Sequence, residues 1–188
     1  MNREQLEHAI RAACDVASED RVIVFGSQSI LGKFPDASAN LRQSIEVDIA
    51  PGSGDPAVAD QIDGALGEDS TFHATHGFYV HGLTIEAAVL PAGWERRTVT
   101  VSAGRGDGMG RCLEAHDLAA SKLAAFREKD RDFVRTLLVE RLVNPRKLRL
   151  RIQQLPPARI PADTLLTWLD ATVREIVDHP RSSAGGER

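Results

Sequence analysis

Two apolar runs separated by a polar loop set the frame of the chain. Val22-Ile23-Val24-Phe25 is rich in β-branched residues and stops at Gly26-Ser27, which predicts a buried strand that breaks at a turn where a helix can begin. Ser44-Ile45-Glu46-Val47-Asp48-Ile49 alternates, so a strand puts Ile45, Val47 and Ile49 on one face and Glu46 and Asp48 together on the other. Carboxylates held side by side repel, and the commonest reason to keep them there is a divalent cation. The plain structural reading is a strand, a turn and a solvent-facing acidic edge. Either half alone is a common match, and their occurrence together in this order favours a site.

The pattern around these runs is mostly helical. Leu6, Ala9, Ile10 and Ala13 share one face and predict a helix over residues 3–17 that packs on a sheet. Residues 28–32 continue as a helical turn ending at Phe34-Pro35-Asp36, where Asp36 either caps the turn or approaches a ligand. Asp55-Pro56 is a good cap and first position for a helix over 56–66. Residues 78–80 and 83–90 predict two strands turned at His81-Gly82, with Glu86 on the second, and 98–101 predict another. The glycine-rich run 104–110, which carries Arg105, predicts a mobile loop, with Arg111 just after it.

Residues 117–138 predict one long amphipathic helix. On its wheel Asp130 falls about 80° from Lys122, inside an apolar arc shared with Phe126, Phe133 and Leu137. An ionised carboxylate there needs a cation, a metal or strong hydrogen bonds, so Asp130 is either a site residue near Lys122 or part of a buried ion pair with Arg127 or Lys129. Asn144-Pro145 starts a helix reaching Leu155, and Pro161 starts another reaching about Asp178, with Leu165, Leu166, Leu169, Val173 and Ile176 as its apolar face. The small, polar tail 180–188 reads as disordered.

Composition narrows this picture. The length of 188 residues suits one domain with a helical extension or one compact core plus a small second subdomain. The 23 Lys and Arg against 27 Asp and Glu, a net charge of −4, argue against wholesale coating of nucleic acid. Between Arg141 and Arg159 the sign reverses: Arg141, Arg146, Lys147, Arg149, Arg151 and Arg159 occur with no acid, as an RNA-backbone contact or as a solvated helix face. Cys14 and Cys112 are too isolated for a disulfide framework or a cysteine zinc site, which points to a reducing cytoplasm. His73, His76 and His81 find no cysteine or suitably spaced carboxylate to complete a zinc set. The polar N-terminus and the lack of any apolar run near ~20 residues predict a soluble protein with no membrane segment.

On Gly26-Ser27 and Glu46-x-Asp48 the chain resembles the nucleotidyltransferase superfamily of the DNA polymerase beta type. More narrowly, with Leu113 to Leu123 and Arg127-Glu128-Lys129-Asp130, it is similar to bacterial nucleotidyltransferase-like proteins related to the AbiEii and MenT toxins. The likeness spans about residues 20–140; Glu46 stands where an aspartate is usual, and the loop between the motifs is longer than in minimal members. The resemblance implies an α/β (α+β) fold, a small mixed β-sheet nucleotidyltransferase core over 1–112 with flanking helices, a helical C-terminal portion over 113–179 and the tail 180–188. It implies transfer of a nucleoside monophosphate from a nucleoside triphosphate (NTP) to a hydroxyl. Gly26, Ser27 and Lys122 would bind the nucleotide, Glu46 and Asp48 would hold Mg2+, Asp130 would be a supporting carboxylate or base, and Glu86 a third carboxylate that nothing local turns inward. The implied partners are the NTP, an RNA end such as that of a tRNA met by segment 141–159, and a cognate antitoxin. A protein or small-molecule hydroxyl is the other acceptor class. The competing reading is a degenerate, non-catalytic protein that binds a nucleotide or a partner.

Overall fold

The Val22–Phe25 run forms β1 (Arg21–Phe25), the middle strand of a mixed five-stranded sheet in the computed structural model, whose described residues are 1–104 and 108–179. β2 (Glu46–Pro51) pairs antiparallel with β1, and β3 (Tyr79–Gly82) continues that edge parallel to β2. On the other side β5 (Met109–Cys112) runs parallel to β1, and β4 (Val99–Ser102) is antiparallel to β5. Mixed α and β elements around such a sheet are the expected fold class.

Helix α1 (Arg3–Ala17) forms where its periodicity places it, closed by a capping box between Asn2 and Gln5, and buries Leu6, Ala9, Ile10 and Ala13. It packs on the sheet beside α2 (Pro56–Leu66), which starts on the Asp55 cap and covers β3. The fit over β3 is close enough that a Cβ on Gly82 would lie 2.3 Å from the Ala59 carbonyl oxygen. A short helix, α3 (Thr71–His76), leads into β3.

Several expected elements change. The strand over 83–90 does not form; Ile85–Ala87 is a 3-10 turn instead, and Ile85, Ala88 and Leu90 still pack on the core from it. His81-Gly82 is the end of β3 rather than a turn. Ile45 precedes β2 and is exposed, so it does not join Val47 and Ile49 in the core. The end of the glycine-rich run enters the strand Met109–Cys112, while Arg105 and the rest of 105–107 lie outside the described residues, as does the tail 180–188.

The long helix is two. α4 (Ala115–Ala125) ends at Phe126 in the left-handed conformation (φ 53°), and α5 (Glu128–Val139) restarts after an extended Arg127. Phe126 carries this backbone with its ring against Trp168 and under Arg131. α6 (Pro145–Gln153) and α7 (Ala162–Asp178) complete the chain, and their Leu148, Ile152, Leu165 and Leu169 belong to the same buried cluster as the sheet.

Two buried polar clasps tie these helices to the core. Glu114 caps α4 by accepting the His116 N–H; its other oxygen lies 2.8 Å from His116 Nδ1, while His116 Nε2 accepts the Asn144 N–H at 2.8 Å. Burial would raise the Glu114 carboxyl, but the His116 ring and backbone N–H, with Lys147, outweigh it and hold the pKa at about 2. Beside it the fully buried Asp117 accepts Arg97 Nε at 2.7 Å, and Arg151 Nε lies 3.0 Å away. Among the described residues no helix is long and apolar enough to cross a membrane.

Candidate active site

Alternation along β2 buries Val47 and Ile49 under the helices and turns Glu46 and Asp48 to the opposite face. Asp48 lies beside the end of β1, opposite Phe25, so its carboxylate reaches the turn at Gly26. There Gly26 adopts φ 70° and ψ −170°, and a Cβ on it would sit 1.8 Å from Asp48 Oδ2. The glycine is what leaves room for the carboxylate. Ser27 follows it on a 3-10 turn, Ser27–Gly32, and lines the cavity in front of the pair. That turn is too short to act as the helix N-terminus expected after Gly26, so the hydroxyl rather than a helix dipole is what this turn offers.

β3 adds a residue that the sequence reading did not place here. In the parallel register His81 stands opposite Asp48, with Nδ1 2.8 Å from Glu46 Oε1 and 3.5 Å from Asp48 Oδ1. Ligand atoms of Glu46, Asp48 and His81 all lie within 4.8 Å of one another. Burial, then the adjoining Glu46 carboxylate, push the Asp48 carboxyl up to about 6 against the pull of Lys122 and His81. Negative charge is thus concentrated where the backbone leaves space for it.

The facing wall comes from α4 and α5. Eight residues rise about 12 Å in a continuous helix, yet the break at Phe126 folds Asp130 back until its Oδ1 is 3.5 Å from Lys122 Nζ. Arg127 Nε donates to Asp130 Oδ2 at 2.6 Å. Asp130 is 1% exposed and serves both cations, so it forms the ion pair with Arg127 and also lies beside Lys122 at the cavity. Between this wall and β2 is an open cavity of about 690 Å3, within the range of small-molecule sites, edged farther out by Asn40, Gln43 and Phe133.

The structure therefore gathers Ser27, Glu46, Asp48, Lys122 and Asp130 around one cavity, with Gly26 behind Asp48. Glu86 is not among its lining residues and is exposed on its 3-10 turn, because the strand that would have carried it is absent. Asp36 is exposed and also lies outside the lining. His73 and His76 stay on α3, where His76 packs edge-on to His8, so the three histidines do not meet. His81 was missed as a site residue, and Arg127, expected as an ion-pair partner of Asp130, also lines the cavity. Period-two alternation across Phe78, Val80 and the intervening Tyr79 and His81 was the available signal for His81, obscured by ending the strand at Val80.

Segment 141–159 spends much of its charge internally: Lys147 faces Glu114, Arg149 pairs with Asp170, and Arg151 faces Asp117. Arg141, Arg146 and Arg159 are exposed.

A family model described as nucleotidyltransferase of unknown function (DUF6036) matches residues 4–156. The chain belongs to this family. No curated protein and no solved structure matches it. The span matched by this nucleotidyltransferase family holds the sheet, the Gly26 turn, both carboxylates, His81, Lys122 and Asp130, and leaves α7 outside. Membership agrees with the superfamily resemblance carried by Gly26-Ser27 and Glu46-x-Asp48.

Proposed function

We propose that the protein transfers a nucleoside monophosphate from an NTP to a hydroxyl, releasing pyrophosphate. One observation carries this reading: Gly26 gives up its side chain to let Asp48 stand beside Glu46, opposite the cations Lys122 and Arg127 across a cavity large enough for a nucleotide. A donor set of two carboxylates and an imidazole within 4.8 Å fits a divalent cation, Mg2+ by the superfamily resemblance. Glu46, Asp48 and His81 would hold such a cation, which would supply positive charge against the charge that develops on the transferred phosphate.

The chain's own residues do the rest. Lys122 and Arg127 meet the phosphates, held in place by the buried Asp130 as a supporting carboxylate. Ser27 adds a hydroxyl donor beside the carboxylates. The acceptor oxygen bonds to the α-phosphorus, the bond from that phosphorus to the bridging oxygen breaks, and the hydroxyl proton passes to a pocket carboxylate. Positioning of the two reactants supplies much of the rate.

By the resemblance to AbiEii and MenT relatives, the acceptor is an RNA end such as that of a tRNA, with an antitoxin as the regulatory partner. Because Lys147, Arg149 and Arg151 are paired within the fold, RNA contact from segment 141–159 falls to Arg141, Arg146 and Arg159. The test supplies each α-labelled NTP with Mg2+ or Mn2+ and, separately, total RNA, protein or no acceptor. Label transfer with pyrophosphate release, lost in Asp48→Asn and reduced in Ser27→Ala, is expected. Nucleotide binding without pyrophosphate release from any acceptor would establish the non-catalytic binding protein instead.

A further inference from the structure

Most of the cavity is explained by nucleotide and phosphate chemistry, but His81 is not. It stands on the strand next to the carboxylate pair, where the superfamily resemblance leads one to expect a third carboxylate, and the candidate for that role, Glu86, is elsewhere. His81 is not a chance neighbour. The parallel register sets it directly opposite Asp48, and its Nδ1, not merely its ring, is the atom turned to both carboxylates, 2.8 Å from one and 3.5 Å from the other.

A ring nitrogen so placed does one of two things. Protonated, it donates to Glu46; with its lone pair free, it completes a three-point set with the carboxylates. Repulsion between Glu46 and Asp48 favours a doubly charged cation over a single proton at their focus. Ligand chemistry then bears on which cation. Carboxylate and water suit Mg2+, Ca2+ and Mn2+, whereas imidazole nitrogen suits the transition metals, and affinity for a given nitrogen–oxygen set rises along the first row from Mn2+. Mg2+ binds reluctantly to anything but oxygen and keeps much of its water.

We infer that the cation site is a mixed oxygen–nitrogen site, with Glu46, Asp48 and the Nδ1 of His81 ligating together, and that it selects a transition-metal divalent cation, Mn2+ before Mg2+. The inference rests on the cation-dependent nucleotide reading above. It goes beyond that reading by assigning a ligand and a metal preference. His81 then discriminates between ions as well as binding them.

The experiment uses Mn2+ alone on the full chain, without nucleotide, followed by electron spin resonance, with Mg2+ competition to give the affinity ratio. Wild type should bind Mn2+ with electron spin-echo modulation from a directly bound imidazole nitrogen. His81→Asp should lose that modulation, still bind Mn2+, and lower the Mn2+ to Mg2+ affinity ratio by about tenfold or more. Asp48→Asn should lose Mn2+ in either case. Binding that depends on Asp48 but shows no nitrogen modulation, or a ratio unchanged in His81→Asp, overturns the inference and leaves the nucleotidyltransferase reading standing. Mn2+ binding indifferent to Asp48→Asn, or no Mn2+ binding to wild type, overturns both. Melting curves on each variant establish that the folded protein is being compared.

Discussion

Gly26 occupies a backbone region, φ 70° and ψ −170°, that side-chain-bearing residues enter only under strain. Gly26→Ala should therefore cost about 1–3 kcal/mol in urea unfolding and weaken cation binding together, because the new methyl group and Asp48 Oδ2 compete for one position. Full cation affinity in a folded Gly26→Ala protein would show that Asp48 need not be where the structure puts it. Asp48 also makes a pH-dependent contribution of predictable sign. Its carboxyl, raised from 3.8 to about 6, binds more protons folded than unfolded between those values, so metal-free stability falls as pH rises from about 4 to about 6 and stays lower above. Asp48→Asn removes that slope and should be more stable than wild type near pH 7.5 by on the order of 1–3 kcal/mol. Chelator-treated melts across pH 4–8 decide it, and parallel profiles would contradict the assigned strain. These two residues were legible in sequence because a Gly-Ser break and an alternating acid pair are local patterns. His81 depended on where an edge strand ends, which two residues of misplaced turn concealed.

At the scale of elements, the break between α4 and α5 makes the cationic wall. It was hidden because Phe126 is neither glycine nor asparagine, the residues that ordinarily take the left-handed position at a helix end. The wheel still singled out Asp130 correctly as a carboxylate needing partners, and Glu128 and Asp130 in the first turn of α5 are a start signal in retrospect. Asp130→Asn should cost about 1–3 kcal/mol, less than a fully enclosed pair because Arg127 is 59% exposed, and should also weaken nucleotide binding by releasing Lys122. Asp117→Asn provides the contrast. It strands Arg97 and Arg151, which are 23% and 13% exposed, and should cost about 3–5 kcal/mol while cation affinity in the folded protein stays unchanged. Equal stability losses with equal binding losses in the two variants would mean that the Asp130 cluster holds the fold and not the site.

For the whole molecule, the continuous buried cluster and the Glu114–His116–Asn144 clasp join the sheet to the later helices. One cooperative unfolding transition is expected. Glu114, held at about 2 against an ordinary 4.5, stabilises the fold fully above 4.5, and that stability is lost as pH falls from about 4.5 to about 2. Glu114→Gln should flatten the acid limb of the stability profile by on the order of 2 kcal/mol, read by urea unfolding from pH 2.5 to 7. Such long-range clasps, and the internal pairing of Lys147, Arg149 and Arg151, join residues far apart in sequence and so leave no local pattern to read.

The most direct measurement is calorimetric titration of a non-hydrolysable NTP into wild type and Asp48→Asn, each with and without a divalent cation. Cation-dependent nucleotide binding in wild type, absent from an Asp48→Asn protein that remains folded, is the expected result. Equal affinities in the two proteins, or nucleotide binding indifferent to the cation, would contradict the site.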